Sequence, residues 1–193
     1  MTATSIGGIQ QPIAVAIDPD RGANNQGIAV VSGVQLTSGT APSGSLAVIE
    51  IGFATPILST TSASGFVPST PTGVVFDPTV LTGTANPGVF YSNSSGSNTI
   101  VQFNPDSGGG SSVNVGVNPT SLAINPQTGA ILTSNSASNT ISIVDTISNP
   151  FKTRQTLGIP GSSRFGVAID QFTNLAVIVD QANMRVLLFP MPN

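Results

Sequence analysis

The side chains of this sequence that could do acid–base or metal chemistry are eight carboxylates: Asp18, Asp20, Glu50, Asp77, Asp106, Asp145, Asp170 and Asp180. They stand against five cations (Arg21, Lys152, Arg154, Arg164, Arg185), with no histidine and no cysteine. Ser/His/Asp and Cys/His catalysis are therefore excluded, as are histidine zinc sites and disulfides. Paired carboxylates remain as an acid–base device. Asp18, Asp77 and Asp170, with Asn125, recur at one place, the end of a short apolar run just before a turn. A short carboxylate or amide placed there bonds the backbone two residues on. The expected role of these four is structural, with a metal or catalytic role as the alternative. The densest group of hard oxygen donors is Asp18-Pro19-Asp20 with Asn24 and Asn25. Its candidate metal ligands are Asp18, Asp20 and Asn24, and the ion they would suit is calcium. The spacing is not that of an EF-hand loop. No other cofactor is expected.

The elements that must carry these positions repeat. The most regular unit spans 118–145, NPTSLAINPQTGAILTSNSASNTISIVD. It reads as strand, tight turn at Asn125-Pro126, strand, polar loop, strand. The turn marker recurs at Asp18, Asp77, Asn125 and Asp170, spaced 59, 48 and 45 residues apart. The longer first spacing comes from a Gly/Ser/Thr/Pro-rich loop at 32–43. Residues 92–98 and 134–139 read as nearly one loop with one residue removed. A fourth, weaker β run lies between units, at 3–6, 54–59, 111–115 and 154–157. Repeats of roughly 40–50 residues with four strands each indicate propeller blades. The expected fold is an all-β propeller of four four-stranded antiparallel blades, approximately 1–52, 53–106, 107–150 and 151–193, in one domain. The second strand of every unit, and the third strand of unit four, are nearly continuous apolar runs, which predicts burial on both faces.

Composition narrows the function. Only 7% of the residues are charged and 39% are hydrophobic, with a mean hydropathy of +0.27. This is not the composition of a disordered tail. A net charge of −3 lacks the basic footprint that nucleic acid requires. No apolar run reaches the length of a membrane-spanning helix. No basic segment followed by an apolar core opens the chain. A charge-poor, Ser/Thr/Asn/Gly-rich β sequence nevertheless suggests export, so a secreted, cell-surface or periplasmic protein is expected. The Gly-rich 107–111 stretch has no Lys-Ser/Thr after it and is not a phosphate loop.

The turn-centred pattern resembles the NHL and YVTN-type β-propeller repeats. Unit four, GVAIDQFTNLAVIVDQANMRVLLF, is closest to the NHL type. Unit three, SLAINPQTGAILTSNSASNTISIVD, is closer to the YVTN type. The resemblance implies the propeller fold and is unspecific for activity, since such repeats serve binding modules and a few lyases and hydrolases alike. The lyase-like members rely on a histidine base, which this chain lacks. Four units depart from the usual ring of five to eight blades. The ring is therefore expected to close on itself, to form part of a longer propeller, or to be a half-ring that pairs as a homodimer.

The expected function is non-catalytic: an interaction module of an exported bacterial protein, recognising a protein or a glycan through its blade loops. The candidate binding residues are Asn93, Asn98, Asn135, Asn139, Asp180 and Asn183, with the Asn/Asp turns of the opposite face as the other binding surface. The alternative is a calcium-dependent hydrolase or lyase with its site in the central channel. It requires oxygen ligands from several units to converge on one point.

Overall fold

The computed structural model describes residues 11–21, 27–35, 43–51, 57–59, 70–80, 88–159 and 165–192. The expected strand at 3–6, the Asn24–Asn25 pair and most of the 32–43 loop lie outside them.

Among the described residues, alternating and apolar runs become fifteen strands in four antiparallel sheets. Sheet one holds β1 (Gln11–Asp18), β2 (Ile28–Gln35), β3 (Ser43–Glu50) and β4 (Ile57–Ser59). Sheet two holds β5 (Pro71–Asp77), β6 (Val89–Ser94), β7 (Thr99–Phe103) and β8 (Gly110–Asn114). Sheet three holds β9 (Pro119–Asn125), β10 (Ala130–Asn135), β11 (Thr140–Asp145) and β12 (Lys152–Gly158). Sheet four holds β13 (Phe165–Asp170), β14 (Leu175–Asp180) and β15 (Arg185–Pro190). Each sheet is a meander in chain order. The fold is all-β and of the propeller type, and the sheets are its blades.

Two expectations shift. The weak β run after each unit pairs with the strand before it: β4 with β3, β8 with β7 and β12 with β11. The sheets therefore divide at about 60, 115 and 160, later than the expected 52, 106 and 150. A hairpin keeps neighbouring strands together, and a short connection leads from β7 and from β11 directly into the next strand. Blade four has three strands among the described residues rather than four.

The blades pack in series, β1 on β5, β5 on β9 and β9 on β13, with the first two strands of one blade against the first of the next. Three apolar clusters fill these seams. Ile28, Val30, Leu46 and Val48 of blade one meet Val74, Phe90 and Phe103 of blade two. Val89, Tyr91 and Ile100 of blade two meet Ile131 and Val144 of blade three. Leu132, Ile141 and Ile143 of blade three meet Ala176 and Ile178 of blade four. Every residue of β6 and β10 is buried, as the apolar runs predict. The expectation fails for β15, whose Val186 and Leu188 are 60% and 65% exposed. Among the described residues no further blade covers that face, so its apolar run meets solvent.

The turn that starts the second strand also repeats. Gly27, Gly88, Gly129 and Asn174 precede β2, β6, β10 and β14, and all have positive φ. Glycine takes that conformation freely, and asparagine is among the side chains that tolerate it best. At Gly88 an added Cβ would also lie 2.7 Å from the Phe76 ring.

Candidate functional site

The four turn markers do not converge on a common point. Each turns back onto its own loop. The Asp18 Oδ1 accepts the Asp20 N–H at 3.1 Å, and the Asp77 Oδ1 accepts the Thr79 N–H at 2.9 Å. The Asn125 Oδ1 accepts the Gln127 N–H and the Asp170 Oδ1 the Phe172 N–H, both at 3.0 Å. These are Asx turns, the structural reading of the sequence pattern.

The second side-chain atom reaches toward the following blade in three of the four. The Asp18 Oδ2 lies 3.0 Å from the Arg21 Nε, and the Arg21 Nη2 donates to the Gly88 carbonyl of blade two at 2.7 Å. Arg21 Nη1 also stands 3.7 Å from Asp106 Oδ2. The Asp77 Oδ2 accepts from the Thr146 hydroxyl of blade three. Asn125 Nδ2 donates to Asn174 Oδ1 of blade four at 2.9 Å. Asp170 has no following blade among the described residues, and its Oδ2 accepts from Thr173 of its own turn at 2.6 Å. Burial pushes the Asp18 carboxyl above its ordinary range, against the turn N–H and Arg21. The Thr173 hydroxyl and the Phe172 N–H hold Asp170 below it.

Asp18 is thus committed to its turn and to Arg21, while Asp20 is exposed and donates its backbone N–H to Asp18. Among the described residues no group of three or more His, Cys, Asp or Glu side chains is placed to hold a metal.

The candidate loop residues divide into two groups. Asn93, Asn135 and Asp180 are fully buried. Asn135 Nδ2 donates to the Thr140 and Ser142 hydroxyls, and Asp180 accepts from Asn183 and Arg185. Asn98 and Asn139 end their turns at positive φ, 57° and 52°. Asn98 Oδ1 also accepts the Asn118 N–H. Asn139 and Asn183 are exposed. The 92–98 and 134–139 loops align without the expected one-residue removal. Both turns have four residues, and the strands before them, β6 and β10, have six each. Ser94 therefore pairs with Thr99 where Asn135 pairs with Thr140.

A well-formed concavity among the described residues lies on the opposite face, the face of the Asn/Asp turns, where blades two and three meet. It is a cleft of about 670 Å³, within the size range of small-molecule sites. Its walls come from the loops after β5, β7 and β11 and from the adjoining ends of β6, β7 and β8. They offer hydroxyls and amides, chiefly Thr79, Gln102, Asn104, Ser111 and Ser148, beside an apolar patch that includes Val80 and Phe151, and no charged residue. The groups are held in place from below. Gln102 Nε2 donates to the buried Tyr91 hydroxyl at 3.0 Å, and Ser111 donates to Gln102 Oε1 at 3.2 Å. Phe151 meets the Tyr91 ring edge-on, with centroids 5.7 Å apart. Burial pushes the Tyr91 hydroxyl up to about 12. Tyr91 thus has the partner that a buried hydroxyl requires.

The sequence reading did not single out this cleft, because its walls come from loops far apart in the chain. One signal was present. Gln102 interrupts the apolar strand TIVQF where blade three has Ile143.

No family model matches the chain, and no curated protein matches it in sequence. Solved structures do match it. A functionally unknown protein from Desulfotomaculum acetoxidans is 15% identical with a TM-score of 0.62, over 96% of this chain and 53% of that one. A chain of the nidogen/laminin complex is 15% identical with a TM-score of 0.58, over 93% and 60%. Apo AztD from Citrobacter koseri is 10% identical with a TM-score of 0.55, over 94% and 48%. At these identities the likeness shows the β-propeller repeat fold alone. The chain spans about half the length of the structures it matches.

Proposed function

We propose that this chain is a non-catalytic propeller module of an exported bacterial protein, recognising a glycan or a protein segment on its loop surface. The observation that supports this reading is the uncharged cleft between blades two and three. Fixed amide and hydroxyl groups beside a small apolar patch suit a neutral, hydroxyl-rich ligand, because sugars present both hydroxyls and C–H faces. The same walls offer no ion pair to a charged ligand and no carboxylate pair for acid–base work. Export rests on the charge-poor, Ser/Thr/Asn-rich composition. The NHL or YVTN character rests on the repeat pattern of units three and four.

A glycan array followed by calorimetric titration of the best hit tests the reading. Binding is expected to weaken at least tenfold in Gln102→Ala or Ser111→Ala and to be unchanged in Asn139→Ala. A blank array would remove the glycan form of the proposal, and a hit indifferent to both cleft substitutions would move the site elsewhere. Millimolar calcium is expected to leave Tm unchanged, because Asp18 is already engaged by Arg21. A clear rise in Tm would favour the calcium-dependent alternative.

A further inference from the structure

The first and last blades expose the two halves of one type of seam. Counted back from the turn marker, Val15 and Ile17 of β1 hold the positions of Val74 and Phe76 in β5, Leu122 and Ile124 in β9, and Val167 and Ile169 in β13. The later three pairs all pack into the cluster shared with the preceding blade. Val15 and Ile17 have no preceding blade among the described residues and are 58% and 54% exposed, with Ile13 beside them at 48%. At the other end, Val186 and Leu188 of β15 hold the positions of Ile141 and Ile143 in β11. Those two are 2% and 0% exposed against blade four, whereas Val186 and Leu188 are 60% and 65% exposed. Val179, paired across to Val186, extends the same face at 48%.

From this we infer that the blade-one and blade-four faces are complementary, and that a second copy of this chain covers both, head to tail, closing two half-rings into one ring. Three observations favour this occupant. The interior seams show what such a face packs against, namely the opposite face of another blade of the same repeat. Among the described residues, one half of each kind is left unfilled. The matched propellers hold about as much chain again beyond the part that aligns. A head-to-tail contact of this sort closes when two copies meet about a two-fold axis, and both seams are then filled. The inference rests on the propeller reading and not on the ligand of the cleft.

The test is light scattering on a sizing column with the 193-residue chain and two variants, Ile17→Glu and Leu188→Lys. The unaltered chain is expected at twice 19.4 kDa, and each variant alone as a monomer. An equimolar mixture of the two is expected to run as a dimer again. One of its seams is unaltered, and the other sets the carboxylate introduced at position 17 of one copy opposite the ammonium introduced at position 188 of the other. A monomeric unaltered chain overturns the inference. So does a dimer sensitive to only one face, which would be a face-to-face pair, or a concentration-dependent ladder, which would be an open chain of copies. Circular dichroism checks that the variants fold, and Val15→Thr with Val186→Thr serve as milder replacements if they do not. Ligand binding at the blade two–three cleft should survive in the monomeric variants, so failure of the ring and failure of the binding proposal are separable.

Discussion

The seam between blades two and three and the outer face of blade four are made from the same repeat and meet different fates. In the seam, Tyr91, Ile100, Ile131 and Val144 are buried and the marker Asp77 is wholly shielded. On the outer face, the matching third strand alternates exposed and half-buried. Asp170, the marker of blade four, bonds within its own turn, while Asp77 also accepts from Thr146 across the seam. Identical local rules build each sheet, and the neighbour decides whether its apolar side becomes core. This is the logic of repeat folds, in which one unit cannot bury its own face.

Substitutions can break or sharpen this contrast. The largest expected effect is at Arg21, which is 2% exposed and ties blade one to blade two through Gly88. Arg21→Ala strands the buried Asp18 carboxylate and should cost about 3–5 kcal/mol in chemical denaturation. Arg185→Ala removes a half-exposed partner of Asp180 within blade four and should cost clearly less. Equal costs would mean that the clamp across the seam adds nothing.

The equivalent pair Ile143 and Leu188 comes next. Ile143→Ala should cost about 2–5 kcal/mol. Leu188→Ala, measured at a dilution where the chain is monomeric, should stay within about 0.5 kcal/mol, as surface changes do. A large loss for Leu188→Ala under those conditions would show that the blade-four face is already covered within one chain.

Tyr91 supplies a spectroscopic probe of the seam, since it is the one tyrosine and there is no tryptophan. Its absorbance near 295 nm should show ionisation at about 12 rather than 10.0. The folded state holds this proton more tightly than the unfolded chain. Stability is therefore full below pH 10 and falls as pH rises from 10 toward 12, by roughly 2–3 kcal/mol. Ionisation near pH 10 without unfolding would place Tyr91 in water.

The smallest contrast compares Thr146 with Thr173. Thr146→Val leaves the buried Asp77 Oδ2 short of a hydrogen bond and should cost about 1–3 kcal/mol. Thr173→Val, on the exposed Asp170 turn, should be barely measurable by the same denaturation experiment.

How much of this could be read from the sequence varied with how local the cause was. The Asx turns at Asp18, Asp77, Asn125 and Asp170 were legible, because the bond joins residues two apart. The buried runs of β6 and β10 were legible from their apolar continuity, and Tyr91 from its need for a partner. The run of β15 reads the same way in sequence, yet it meets solvent, since no sequence pattern states whether a neighbour exists. Asn93 and Asn135 read as binding-loop residues because they are polar beside a turn. The sheet register instead turns them inward, where Asn135 bonds Thr140 and Ser142. The cleft was not legible at all, since Thr79, Gln102, Ser111 and Ser148 come together only when two blades are placed side by side.

By itself, the sequence determined the strands, their turns, the four-fold repeat, and the absence of histidine and cysteine chemistry. All of these follow from alternation, turn propensity and composition, which act over a few residues. Tertiary structure alone decided which strand closes each blade, which asparagines are buried, where the cleft opens and which faces of the described residues stay bare. Those outcomes depend on packing between units about fifty residues apart, where burial is set by the neighbouring sheet and not by the strand that carries the side chain.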